Sequence, residues 1–197
     1  MEEWEINGNT LEYDDATHIY LVNGVIVPSV TQVMQVKFGN KYEGIRSDVL
    51  NRAAERGTAI HKAIENYCKG MDDGSKEVHN FNFLMNYYKI KPVKNEVPII
   101  LMVDKQPVIA GRLDLVLQEN DTLCLADIKT TSQLDKEYLA YQLNLYRLGY
   151  MQSYGERIDK LYGLHLRGDK RKLVELPINE DIALELLEKY ERSKSNE

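Results

Sequence analysis

Asp114, Asp127 and Lys129 are the residues of this chain whose types and spacing can do chemistry together. They lie in one stretch, Gly111-Arg112-Leu113-Asp114-Leu115-Val116-Leu117-Gln118, a polar Glu119-Asn120-Asp121, then Thr122-Leu123-Cys124-Leu125-Ala126-Asp127-Ile128-Lys129-Thr130-Thr131. Both halves alternate at period 2 around turn-forming residues, which predicts a β-hairpin. Leu123, Leu125, Asp127 and Lys129 then share a face, with the carboxylate and the ammonium about 7 Å apart along the strand. Asp114 can lie opposite that pair if the register allows. Two carboxylates and a lysine converging at a strand end can hold a hard cation such as Mg²⁺ against a phosphate. Taken alone, an Asp-x-Lys on a strand reads as an exposed ion pair of small energetic value, so the case for a site has to come from the rest of the chain.

The elements around the hairpin must therefore supply the rest of a site. Residues 1–28 read as short strands, with Asn7-Gly8 and Asn23-Gly24 as turns; Tyr20, Val22, Val25 and Val27 alternate around the second. Ser29 followed by Gln32 has capping-box spacing and starts a short helix, broken by Gly39-Asn40 and Gly44. Arg46 to Lys69 has helical spacing, with Val49, Ala53, Gly57, Ile60, Ile64 and Tyr67 as its stripe. His61 and Glu65 sit one turn apart on its flank. Gly57-Thr58 either interrupts this helix or lets another backbone approach closely. A loop from Lys69 to Lys76 precedes an amphipathic helix marked by Val78, Phe81, Leu84, Met85 and Tyr88.

Val93 to Val103 reads as a strand with Glu96 near its start, either structural or a distal ligand. Lys136 to Tyr154 is a long helix presenting Leu139, Leu143, Tyr146 and Tyr150, with Gln142 on the same side. Ile158–Arg167 and Lys172–Leu176 are strands joined by a basic turn, and a last helix runs from about Asn179 to Glu191. That basic turn and His18 read as solvated surface, the turn being able to touch phosphates.

The chain has 197 residues, 43% hydrophobic and 28% charged, which suits one soluble α/β domain with a sizeable core. Within it, 1–45 is expected to be a β-rich extension with a short helix packed on the core, 46–192 the core, and 193–197 a frayed tail. With 25 Lys and Arg against 31 Asp and Glu, the net charge is −6, which argues against broad non-specific nucleic-acid binding but not against a local basic groove. No apolar run approaches a membrane span. Met1-Glu2-Glu3-Trp4 lacks the basic region of a secretory signal, so a cytoplasmic location is expected. Cys68 and Cys124 are too few for a zinc or iron–sulfur site and read as core residues.

In order, the chain carries Gly57-Thr58-x-x-His61-x-x-x-Glu65, Gly111-Arg112-x-Asp114, Asp127-Ile128-Lys129-Thr130 and Gln142-Leu143-x-x-Tyr146. This series resembles the PD-(D/E)XK nuclease superfamily, and within it the RecB-like exonuclease branch, over roughly residues 46–167. The N-terminal strands and Pro28-Ser29-Val30-Thr31 are similar to small phage and prophage members. Leu113 stands where many members carry proline, and the four-cysteine cluster of the iron–sulfur members is absent.

The resemblance implies a restriction-endonuclease-like core with a mixed central sheet flanked by helices. It implies Mg²⁺ or Mn²⁺ held by Asp114, Asp127 and the Ile128 carbonyl, with His61 as a further ligand. Lys129 would orient water or neutralise charge, and Gln142 would bond the attacking water or the DNA backbone. Tyr146 would pack beneath the site or contact phosphate. Glu65, Arg112 and Thr130 would support the site or touch DNA. The implied activity is metal-dependent DNA hydrolysis, foremost at linear ends in recombination or repair, with a recombination or helicase partner possible and the oligomeric state open. An endonuclease, or an assembly subunit with an unused site, is the alternative.

Overall fold

The computed structural model describes residues 1–39 and 44–194. Its first four strands, β1 (Glu2–Ile6), β2 (Asn9–Asp14), β3 (Ile19–Val22) and β4 (Val25–Val27), form one antiparallel sheet in chain order. Asn7-Gly8 and Asn23-Gly24 turn it, all four with positive φ (48°, 78°, 52° and 77°), the conformation that tight hairpin turns demand and that Asn and Gly tolerate. Helix α1 (Val30–Phe38) follows with both bonds of the capping box in place between Ser29 and Gln32. It ends at Gly39; the expected break at Asn40 lies outside the described residues.

After α2 (Ser47–Cys68) and α3 (Lys76–Tyr88), the second sheet is built from β5 (Ile90–Val103), β6 (Gln106–Glu119), β7 (Thr122–Lys129), β8 (Lys160–Arg167) and β9 (Lys170–Leu176). Helix α4 (Lys136–Tyr154) links β7 to β8, and α5 (Glu180–Lys194) closes the described chain. The order is β5-β6-β7-β8-β9, antiparallel except for β7 against β8. A parallel pair needs a long crossover, and α4 provides it. The expected mixed sheet flanked by helices, with a β-rich N-terminal extension, is the observed architecture.

Alternation along β7 serves both faces. Leu125 joins Val33, Leu139, Leu143, Tyr150 and Leu186 beneath α1, α4 and α5, while Cys124, Ala126 and Ile128 join Ile60, Ile64, Phe81 and Met85 beneath α2 and α3. The N-terminal sheet has its own apolar cluster, which reaches Ile100 and Ala110 on the β5–β6 hairpin. Because α4 is covered nearly all round, its polar side chains turn to backbone carbonyls or to an acid at the start of α5. Asn144 donates to the Pro177 carbonyl (3.0 Å), and Arg147 to the Ile158 carbonyl (3.0 Å) and Glu180 (2.6 Å).

Several expectations shift. Strand β5 starts three residues before Val93 because Ile90 to Pro92 pair with Glu119 to Leu117, and β6 starts at Gln106 because Asp104 and Lys105 take positive φ (49° and 63°) and form a tight hairpin without glycine. Strands β8 and β9 meet at a two-residue turn, Gly168-Asp169. Helix α2 is continuous through Gly57, but its stripe is not buried throughout: Val49 and Ala53 are exposed, and only Ile60 and Ile64 are fully buried. Of the cysteines, Cys124 is buried whereas Cys68 is half-buried. Ser193 and Lys194, expected to fray, continue α5, held by the Ser193 hydroxyl on the Tyr190 carbonyl (2.7 Å) and a Lys194–Glu191 pair (3.2 Å); residues 195–197 lie outside the described chain. Among the described residues no helix is long and apolar enough to cross a membrane.

Candidate metal and phosphate site

The site forms where β6 and β7 part. Their ladder ends at Leu115 opposite Ala126, and beyond it the Asp114 carboxylate takes the place of a backbone partner, accepting from the Ile128 amide at 2.7 Å. Ile128 points its side chain into the α2–α3 core and lends only its backbone, as alternation requires. Its carbonyl accepts from His61 Nε2–H at 3.0 Å, so the other ring nitrogen, Nδ1, faces Asp114 Oδ1 at 3.5 Å. Helix α2 thereby presents an imidazole with one nitrogen anchored and one aimed at a carboxylate.

A third donor comes from β5. Asn95 and Val97 pair with Leu115 and Leu113, which sets Glu96 across from Asp114, in a left-handed conformation with φ of 48°. Ligand atoms of His61, Glu96 and Asp114 all lie within 4.8 Å of one another. Arg112 Nε holds Glu96 at 2.8 Å, and its Nη1 reaches Glu2 of the N-terminal sheet at 3.1 Å. The sequence leaves Glu96 open between a structural residue and a ligand, because its position depends on the β5–β6 register. The legible signal is that Glu96 is the one acid of β5, placed just before the apolar run 97–103.

Asp127 and Lys129 stand beside this group on the α4 side. Asp127 is buried, and Lys129 Nζ lies 2.7 Å from its Oδ2. That approach lies outside hydrogen-bonding geometry, so among the described residues Oδ2 has a counter-charge but no donor. Lys129 donates instead to Gln142 Oε1 at 3.1 Å. Tyr146, one turn along α4, is buried against Gly111, where an added Cβ would meet its ring at 3.0 Å; the glycine makes room for the tyrosine. Gly57 passes Thr130 at ordinary contact distance: a Cβ added at Gly57 would lie 3.4 Å from Oγ1. Glu65 lies in the same cleft as His61 but is engaged by Lys62 (2.8 Å) and Lys69.

Electrostatics follow from this crowding. The Asp114 carboxylate drives His61 up to about 9, against the opposing effect of burial. Burial would raise Asp114, but His61, Lys129 and the Ile128 amide outweigh it and hold the carboxyl below its usual range. Burial pushes Asp127 up to about 6 despite Lys129. For Lys129 burial favours neutrality, yet Asp127 and Asp114 prevail and raise it. Burial, then Asp114, raises Glu96. Perturbed carboxylates beside a charged lysine are the arrangement that functional sites favour, though structural ion pairs produce it too.

Two openings serve the group. His61, Glu96 and Asp114 line a cleft of about 670 Å³ whose far wall is the N-terminal sheet. Lys129 and Gln142 line a second, of about 340 Å³, beside α1.

No family model matches the sequence, and no curated protein does. Among solved structures, the crystal structure titled SSO0001 is similar with a TM-score of 0.51 at 18% identity, over 85% of this chain and 76% of that one, which shows a shared fold. The alkaline exonuclease LHK-Exo from Laribacter hongkongensis aligns at a TM-score of 0.48 and 12% identity, over 86% of this chain and 87% of its own.

Proposed function

We propose that this chain is a nuclease that hydrolyses DNA phosphodiester bonds with Mg²⁺ or Mn²⁺, acting foremost at the ends of linear DNA. One observation carries the reading: three ligand atoms from three separate elements, His61, Glu96 and Asp114, converge beside a buried aspartate–lysine pair.

The donor set fits a hard divalent ion, with carboxylate oxygens for Mg²⁺ and an imidazole that also suits Mn²⁺. The Asp127 carboxylate fits as well: buried, with Lys129 as counter-charge but no donor bonded to Oδ2, it keeps oxygen lone pairs for a hard cation. Asp114, Glu96 and His61 would hold the ion, with Asp127 and the Ile128 carbonyl alongside. When bound, such an ion lowers the pKa of water and offsets charge on a phosphate.

The chain's own groups do the rest. Lys129 stays charged between Asp127 and Gln142 and neutralises charge developing on the phosphate. Gln142 spends its carbonyl oxygen on Lys129, which leaves the amide NH₂ as the donor toward water or the DNA backbone. Arg112 is committed to Glu96 and Glu2 and acts by positioning Glu96. The preference for ends follows from the resemblance of the motif series to the RecB-like branch, as does a recombination or repair setting.

The test is incubation with Mg²⁺ or Mn²⁺ and either linear or covalently closed DNA. Metal-dependent loss of the linear form with closed circles intact supports the reading. Nicking of relaxed closed circles would instead make the chain an endonuclease, and inertness toward every DNA and RNA would leave an assembly subunit.

A further inference from the structure

The net charge of this chain is −6, and most of its lysines and arginines beside the site are paired with acids. The β8–β9 turn departs from that pattern. Arg167, Lys170, Arg171 and Lys172 crowd it, and among the described residues none of them is ion-paired with a carboxylate. They bond neutral groups only: Arg167 the Thr130 carbonyl (3.5 Å), Lys170 the Ser132 carbonyl (3.1 Å) and Arg171 the Asn80 amide oxygen (3.3 Å). Asp169 in the same turn is taken by Lys76, and Glu77 accepts from the Gly168 amide, so the four cations leave the turn with a net positive charge.

The turn is also fixed in place at the site end of the sheet. Lys129 pairs with His165 in the parallel ladder, so Arg167 follows about 7 Å further along the strand. Asn80 of α3 donates to the Gly168 carbonyl at 2.8 Å, and Gly168 N–H donates to Glu77 at 3.2 Å, which pins the turn to α3.

Beyond it, α3 exposes rings to solvent. Phe83 and Tyr87, one turn apart, are 44% and 69% exposed and nearly parallel (15°), with centroids 5.8 Å apart. The Arg171 guanidinium lies 3.7 Å from the Phe83 centroid, joining the basic turn to the aromatic face. Uncompensated cations that track a phosphate backbone, beside exposed rings on which bases stack, are the two components of sequence-tolerant single-strand binding.

We infer that the β8–β9 turn and the outer face of α3 form a platform for single-stranded nucleic acid, with Lys170 and Arg171 on phosphates and Tyr87, backed by Phe83, under a base. The destination of that strand, the Asp114–Asp127–Lys129 site, rests on the nuclease reading; the platform itself does not.

The experiment is fluorescence anisotropy of a labelled oligothymidylate of about 20 nucleotides against the full chain in EDTA, where nothing is cleaved, over a salt series. Wild type is compared with Lys170→Gln/Arg171→Gln and with Tyr87→Ala, each checked by circular dichroism and thermal melting. Tyr87 is the safe ring to remove, being largely exposed. The double variant is expected to bind tenfold or more weakly at low salt, with the log–log salt slope lower by about 1.4, two phosphates at about 0.7 each. Tyr87→Ala should lose roughly fivefold or more in affinity.

Metal-dependent turnover of bis(p-nitrophenyl) phosphate, too small to reach the platform, reads the site alone and should be the same in all three proteins. If no protein hydrolyses anything but the binding losses appear, the platform stands and the nuclease reading falls. Folded variants that bind the strand as tightly as wild type overturn the platform. So does a wild type that binds no nucleic acid, in which case the exposed rings and Arg171 belong to a protein contact instead.

Discussion

Binding of a divalent ion to this chain should be coupled to the loss of about one proton, and the structure says from where. Without metal, Asp114 holds the His61 imidazole protonated, raising it from the usual 6.5 to about 9. A cation ligated by Nδ1 must displace that proton. At pH 7 the displacement spans two pH units at about 1.36 kcal/mol each, or ~2.7 kcal/mol, a factor of about 100 in affinity. The Mn²⁺ dissociation constant should therefore tighten about tenfold per pH unit from 7 to 8.5 and level off above about 9. An unperturbed histidine would place that transition near 6.5. Below about 6 the dependence should steepen, because Asp127 also takes up a proton there. Isothermal titration calorimetry in buffers of different ionisation enthalpy counts the protons, and His61→Gln should flatten the pH profile while retaining weak binding. A Mn²⁺ affinity independent of pH between 7 and 8.5, or no proton release in wild type, would refute the assignment of His61 as a ligand.

Other outcomes follow from the same geometry. Asp127→Asn should abolish metal-dependent cleavage by orders of magnitude while the fold persists, read by gel assay alongside circular dichroism; full activity would remove Asp127 from the site. Lys129→Gln should cost about 3–5 kcal/mol in urea unfolding by leaving the buried Asp127 uncompensated, and the double change Lys129→Gln/Asp127→Asn should recover most of that loss. For the metal-free protein, the stability His61 contributes is fully present below about 6.5 and is lost as pH rises through about 9, so the melting temperature should fall across that window. Gly149→Ala should destabilise by about 1–3 kcal/mol, since its Cβ would meet Ile99 Cδ1 at 2.6 Å, whereas Gly57→Ala, 3.4 Å from Thr130 Oγ1, should be neutral or stabilising by up to about 1 kcal/mol.

What was legible in the sequence was local. Alternation in 111–131 showed the β6–β7 hairpin, Ser29 and Gln32 the capping box, and the stripe of 136–154 the full extent of α4, because period and capping act within a few residues. The motif order also named His61, Asp114, Asp127, Lys129 and Gln142, all of which the fold brings to one end of the sheet.

Which of them touch was a tertiary matter. Glu96 entered the ligand group through the β5–β6 register and a left-handed backbone, neither of which its neighbours in sequence disclose. The first half of α2 carries an apolar stripe, yet Val49 and Ala53 are exposed: periodicity shows which face would be buried, and only packing shows whether anything covers it. The basic turn and α3 lie far apart in the chain, 91 positions between Asn80 and Arg171, so no local rule could bring the Phe83 ring under a guanidinium. The pKa of His61 followed the same logic, because a charge felt through 3.5 Å of half-buried protein belongs to the pair and not to either residue's place in the sequence.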